Sequence, residues 1–362
     1  MSARIDTSPC PVPSWLPGGH VQTLYGAFCA QHPTMRFVRE RVETPDGDFI
    51  DLDWCSPGLD PNHLPDGRRA PHDASLAGTA ARRWAENTDW AVLSSSTAPA
   101  LVLFHGLEGS SLSPYMQVLA HDFRAHGWAV AAAHFRGCSG TPNRMARAYY
   151  SGDSAEIDFI LGHVRTRLPS AALHAAGVSL GGNALLKLLG ESANSPHGLC
   201  AAAAISVPMD LAVCGRRLSD TSWGRHMYSR YFLRSMRRKI LDKAHQFPAS
   251  VDVSRTQTMR TLREFDDLYT APMHGYRNAL DYWIRAASLP LLPSIRTPTL
   301  VLNARNDPFV PEASLPGSRD ASDDVLLHQP AQGGHTGFVT GMFPGHLRWL
   351  PERLLRFFST GD

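Results

Sequence analysis

From residue 99 onward the chain alternates between short unbroken apolar runs and longer segments whose apolar positions recur every three or four residues. PALVLFHG, WAVAAAHF, LHAAGVS and LCAAAAISVP are β-prone runs bounded by glycine, proline or polar residues, the pattern of strands buried on both faces. Between them, SPYMQVLAHDFRAHG, SAEIDFILGHVRTRLP and GGNALLKLLGES carry the spacing of amphipathic helices. Strands and helices in strict alternation predict a mostly parallel central sheet with helices on both faces.

Elsewhere the pattern changes. Residues 1–34 are rich in proline, glycine and aromatics and read as an extended arm containing the turn Pro17-Gly18-Gly19. Period-two alternation from Met35 to Trp54, broken by Pro45-Asp46-Gly47, predicts an antiparallel hairpin at a sheet edge. Residues 58–97 show no sustained period and read as a surface insertion, with Trp84 and Trp90 packing its second half against the body. Between 210 and 295 the alternation gives way to helical, arginine-rich sequence, the place for a lid, before the strand PTLVLNAR, a short strand near VLLHQP and a terminal helix around LRWLPERLLRFF. The expected organisation is an arm (1–34), a catalytic core (35–209 and 296–362) and a helical lid (210–295).

Gly177-Val178-Ser179-Leu180-Gly181 lies between a predicted buried strand and a predicted helix, the strand-turn-helix setting in which G-x-S-x-G exposes a nucleophilic serine. A serine hydroxyl is a poor nucleophile near neutral pH and needs a base and a group that orients the base. In chain order after Ser179 the sequence offers Asp307, in NARNDPFVP after an apolar strand, and His335, in QGGHTGF. Asp210 is a second candidate for the acid, Asp307 being readable also as a turn aspartate before proline; His328 and His346 rival His335. The developing oxyanion needs two donors: the N–H of Leu180 after the nucleophile, and an N–H from the loop His105-Gly106-Leu107-Glu108-Gly109, assigned to Leu107 within one residue. His105 reads as a loop-bracing histidine, and Cys138 as a small packed residue rather than a reactive thiol.

Composition narrows the alternatives. The 362 residues are 43% hydrophobic and 19% charged, enough for a full core, and 35 basic against 33 acidic side chains give a formal charge of +2, no field that suits nucleic acid. Six cysteines without a CxxC pair argue for reduced thiols in a cytoplasmic protein, and the N-terminal residues lack the apolar stretch of an export signal. No run is apolar enough to span a bilayer. His20 has no companions at metal-ligand spacing, so neither metal nor cofactor is expected. Apolar and basic residues interleave between Arg216 and Lys243, which reads as an amphipathic lid helix with its charged side in water or as a surface weakly attracted to acidic lipid headgroups.

A longer series of motifs carries a family resemblance. PSWLPGGHVQTLYG at 13–26, LFHGLEGSS, HFRGCSGTPN, YYSGDSAEIDF, GVSLGGN, EFDDLYTAPMHGYRNALDYW, LNARNDPF and GGHTGF, in this order, resemble the YheT-like branch of the α/β-hydrolase superfamily, also called the AB hydrolase 4 family. The resemblance implies the α/β-hydrolase fold, a family nucleophile at Ser179, acid at Asp307 and histidine at His335. It also implies hydrolysis of carboxylic esters ranging from short acyl esters to monoacylglycerols, with some relatives acting on phospholipids or as acyltransferases to alcohols. An acyltransferase and a non-catalytic binding protein are the alternatives to an esterase acting on a small ester or lipid. Oligomeric state is not legible.

Overall fold

The computed structural model describes residues 2–63 and 74–362. The apolar runs become strands for the reason their composition suggests: β-branched and small apolar residues, buried on both sides, stack into the inner strands of a sheet. In chain order the strands are β1 (Arg4–Asp6), β2 (Phe37–Glu43), β3 (Phe49–Cys55), β4 (Ala81–Trp84), β5 (Ala100–Phe104), β6 (Ala129–His134), β7 (Leu173–Val178), β8 (Leu199–Ile205), β9 (Thr299–Leu302) and β10 (Val325–His328). They form one ten-stranded sheet in the order β1-β10-β9-β8-β7-β5-β6-β3-β2-β4. From β1 to β6 every neighbour is parallel, whereas β3 runs antiparallel to both β6 and β2.

Successive side chains of β5 divide between two cores. Val102 and Phe104 pack with Ile157, Ile160 and Leu161 of helix α4 (Ser154–Arg167) and Leu185 and Leu189 of α5 (Leu180–Glu191). Leu101 and Leu103 pack with Met116, Leu119 and Phe123 of α3 (Pro114–Ala125) and Leu350, Leu354 and Phe357 of α12 (Trp349–Thr360). Both faces of the sheet are thus covered, as the strand-helix alternation requires.

Two expectations are corrected. The arm is not extended: it contributes the edge strand β1, parallel to β10, and a ten-residue helix α1 (Gly19–Phe28). The buried face of α1 is Gln22, Thr23 and Gly26, while Val21 and Phe28 are exposed, so its polarity is inverted and apolar periodicity does not reveal it. The β2–β3 hairpin is not the edge of the sheet. Beyond it lies β4, drawn from the segment 58–97 and parallel to β2. That segment is integrated through helix α2 (Asn87–Ser94), a bidentate Arg83–Asp89 pair at 2.6 and 2.7 Å, and Trp90 edge-on to Trp54 at 5.7 Å. Its residues 64–73 lie outside the described residues.

Between β8 and β9 the chain leaves the sheet and forms α6 (Leu211–Asp220), α7 (Arg230–Ala244), the short α8 (Val253–Thr258), α9 (Leu262–Phe265) and α10 (Ala271–Met273), and α11 (Ala279–Ala286). These helices close a separate apolar cluster around Leu233, Met236, Ile240, Leu262 and Phe265. Among the described residues no helix is long and apolar enough to cross a membrane.

Candidate active site

Ser179 joins β7 to α5 with φ 53° and ψ −116°, a conformation that costs a non-glycine residue about 1–3 kcal/mol and persists only where packing enforces it. The enforcement comes from close backbone approach. A Cβ on Gly181 would sit 2.6 Å from the His105 carbonyl oxygen, one on Gly182 2.4 Å from Val207 Cγ2, and one on Gly177 2.6 Å from the Gly181 oxygen. The Ser179 N–H donates to the Ile205 carbonyl at 2.8 Å, tying the elbow to β8.

Asp307 and His335, both buried, reach the serine from the turns after β9 and β10. Oδ1 of Asp307 accepts from the N–H groups of Phe309 (2.7 Å) and Val310 (3.3 Å), and Oδ2 accepts from Nδ1 of His335 at 2.7 Å. Because Nδ1 must carry the proton in that bond, Nε2 is left as an acceptor, and Ser179 Oγ lies 3.0 Å from it. The Phe309 ring packs on the imidazole at a centroid distance of 4.2 Å. The rivals are engaged elsewhere: Asp210 caps α6 through Val213 N–H at 3.0 Å, His328 accepts from Arg353 Nε at 2.9 Å, and His346 bonds within its own loop to Thr340.

The loop after β5 lies directly against the serine, since a Cβ on Gly106 would come 3.1 Å from Ser179 Cβ. Its amides are nearly all spoken for. Gly106 N–H donates to Tyr115 Oη (2.9 Å), Glu108 N–H to Tyr149 Oη (2.8 Å) and Gly109 N–H to the Gly106 carbonyl (3.0 Å). Among the described residues nothing accepts from Leu107 N–H. Leu180 opens α5, where helical amides have no partner within their own helix. His105 braces this loop: Nε2 accepts from Phe135 N–H at 3.2 Å and Nδ1 donates to the Gly106 carbonyl at 2.7 Å. Burial pushes the His105 imidazole down to about 3, so it is neutral and cannot serve as an acid near pH 7.

A cavity of about 480 Å3 opens on Ser179 and His335, walled by Leu24 and Phe28 of α1, Leu107, Leu211, Leu218, Phe232, Met236, Trp283 and Phe309. A second recess of about 1050 Å3, bordered by Arg234, Arg238, Lys239 and Lys243, shares Leu107, Glu108 and Leu180 with it. The basic side of α7 is therefore only partly in water. Lys239 Nζ pairs with Glu108 Oε1 at 2.8 Å, and Lys243, buried against the carbonyls of Asn143 and Met145, is pushed down to about 8 by desolvation. Cys138 sits 3.3 Å from Lys239 Nζ, and burial pushes its thiol up to about 11, which fits a packed residue. His20 hydrogen-bonds Tyr228 Oη at 2.8 Å and stacks on Trp223; no cluster of three or more metal-ligating side chains occurs among the described residues.

Sequence reasoning missed the contribution of α1. Thr23 Oγ1 accepts the His335 N–H at 2.8 Å, and Gln22 Oε1 accepts the Gly333 N–H at 3.0 Å. The visible signal was polar residues beside small ones in GGHVQTLYG, not an apolar stripe.

Residues 99–341 match the family described as the α/β-hydrolase fold. YheT of Escherichia coli is 32% identical over 94% of this chain and 90% of its own length. Human phospholipase ABHD3 is 28% identical, covering 95% of this chain and 76% of its own, and a monoacylglycerol lipase of Saccharomyces cerevisiae is 28% identical over 94% and 78%. Among solved structures, the Pyrococcus furiosus esterase Pf2001 superposes with a TM-score of 0.51 at 13% identity, covering 91% of this chain and 97% of its own, a likeness of fold. The chain belongs to the α/β-hydrolase fold family, on its YheT-like branch.

Proposed function

We propose that the protein is a serine carboxylic-ester hydrolase that works through an acyl-enzyme on Ser179. The observation that carries this reading is the relay from Ser179 Oγ to His335 Nε2 (3.0 Å) and from His335 Nδ1 to Asp307 Oδ2 (2.7 Å). His335 takes the serine proton as Oγ attacks the ester carbonyl, and the N–H groups of Leu180 and Leu107 receive the oxyanion. The imidazolium, stabilised by Asp307, protonates the departing alcohol; water then attacks the acyl group with the same histidine as base. Every step uses groups of this chain, with no call for a metal or cofactor.

The substrate class is an ester with an apolar acyl chain of short to medium length. Its support is the apolar wall of the cavity at Ser179, together with relatives named as a phospholipase and a monoacylglycerol lipase. Residues 210–295 act as the lid in this reading, since Leu211, Leu218, Phe232, Met236 and Trp283 of that stretch wall the cavity. Phe28 and Tyr231, 63% and 59% exposed and ring to ring at 5.8 Å, mark the entrance through which a lipid would pass from a surface. The test is a p-nitrophenyl ester series from acetate to palmitate with wild type and Ser179→Ala. Turnover that peaks at short or medium chains and disappears in the variant is expected; turnover kept by Ser179→Ala would overturn the reading.

A further inference from the structure

The segment 333–338 that carries His335 has no helix or strand of its own, and its backbone is unusual: Gly334, Thr336 and Phe338 have φ of 66°, 61° and 45°. Such a segment keeps one shape only if its surroundings dictate it. Here the dictation is unusually complete. Four consecutive amides are each received by a side-chain oxygen: Gly333 by Gln22 (3.0 Å), Gly334 by Asn306 (3.0 Å), His335 by Thr23 (2.8 Å) and Thr336 by Ser206 (3.1 Å). Neutral side chains act as acceptors where a strand neighbour would otherwise supply carbonyls.

Two of the four acceptors come from α1, which also touches the acid's turn. Gln22 Oε1 accepts from Asn306 Nδ2 at 2.8 Å as well as from Gly333, so a single oxygen bridges the segment of His335 and the residue before Asp307. The contact is backbone to backbone: a Cβ on Gly19 would lie 1.8 Å from the Asn306 carbonyl oxygen, and one on Gly337 2.7 Å from that of Gln22. Thr23 is fixed in turn by donating its hydroxyl proton to the Gly19 carbonyl at 2.7 Å. Burying polar side chains on the inner face of a helix weakens packing unless each is satisfied, and here both are.

Resting on the serine-hydrolase reading, we infer that Gln22 and Thr23 are positioning residues of the reaction: α1 is a brace that holds the imidazole of His335 at bonding distance from both Ser179 and Asp307. An error of about 1 Å in such a group lowers turnover about 100-fold without touching ground-state binding, so the brace acts on kcat.

The experiment compares Thr23→Val, which keeps the shape and removes the acceptor, with Thr23→Ser, which keeps the acceptor, and runs Gln22→Met, Ser179→Ala and His335→Ala beside them on a soluble p-nitrophenyl ester. Thr23→Val should lower kcat about 10- to 100-fold with KM within about twofold. Thr23→Ser should restore most of the rate. Wild-type kcat in Thr23→Val, or a loss that Thr23→Ser does not restore, would overturn the brace while the loss in Ser179→Ala and His335→Ala leaves the hydrolase reading intact. Turnover retained by those two would instead remove the hydrolase reading itself. Should Thr23→Val not fold, Gln22→Met is judged by the same kcat and KM criteria.

Discussion

Lys239 of α7 sets its Nζ 2.8 Å from Oε1 of Glu108, the residue with φ 55° that follows Leu107 in the loop over the serine. The helical excursion is thereby ion-paired to the loop beside the nucleophile. The pair is largely shielded, with side-chain exposures of 32% and 8%. Removing only the cation leaves a carboxylate enclosed without a counter-charge, so Lys239→Met should destabilise the protein more than the double variant Lys239→Met/Glu108→Gln does. A urea-unfolding cycle should return a coupling of about 1–3 kcal/mol; additive effects would show that the contact is incidental.

Asp307 holds one tautomer of His335, with Nδ1 protonated. An amide in its place offers an N–H as readily as an oxygen, so Asp307→Asn should lower kcat about 10^4-fold while leaving the melting temperature close to that of wild type. Combining it with Ser179→Ala should add almost nothing further, since the groups act as one unit. Single-turnover rates on an activated ester check both statements.

Among the described residues Leu107 N–H is the free donor of its loop, flanked by amides bound to Tyr115 and Tyr149. Leu107→Pro removes that donor in a segment already held on either side. It should cost about 10^2- to 10^3-fold in kcat, whereas Leu107→Ala, which keeps the N–H, should cost far less. Equal losses in the two variants would point to the side chain instead.

Asp266 lines the cavity and accepts from Trp283 Nε1 at 2.8 Å, and desolvation pushes its carboxyl from 3.8 up to about 7. The unfolded chain therefore surrenders this proton before the folded one, and the contribution of Asp266 to stability falls as pH rises through the window from about 4 to about 7. Asp266→Asn, which keeps an acceptor for the indole, should melt at a temperature closer to wild type at pH 4 and progressively above it towards pH 8. A difference that does not vary with pH would mean that the carboxyl ionises normally.

A fifth test concerns the hairpin. Arg39, Asp53 and His134 form a buried group in which Asp53 receives Arg39 at 2.6 and 2.8 Å, His134 at 2.8 Å and the hydroxyl of Ser111 at 2.5 Å. Burial alone would raise the Asp53 carboxyl; the charges of His134 and Arg39 outweigh it and hold the group below the usual carboxylate range. Its contribution is present above pH 4 and is lost as pH falls further. Asp53→Asn should cost about 3–5 kcal/mol at pH 7 by urea unfolding, with the deficit shrinking in acid.

The inner strands were legible because burial on both faces leaves an unbroken apolar run, as in Ala100–Phe104. Ser179 could be read because a sharp strand-to-helix turn demands small neighbours, and that demand is written locally as glycines. Asp307 and His335 could be picked from chain order and loop position, while the choice against Asp210 and His328 needed distances. The helix α1 was illegible because its inner face is Gln22, Thr23 and Gly26, and β4 because four residues carry too little pattern to separate from a loop. A brace made of side-chain acceptors for backbone amides has no motif, since many polar residues can perform that task.

The separation of the braced partners has a consequence for how the protein comes to work during synthesis. Gln22 and Gly333 are 311 positions apart, so the helix bearing one leaves the ribosome long before the segment bearing the other exists. Contacts of such range form late, after the sheet between them has assembled. A nascent chain would thus hold its serine elbow well before His335 is braced beside it, and the proposed relay would be complete only once the segment of Gly333 docks against the helix of Gln22.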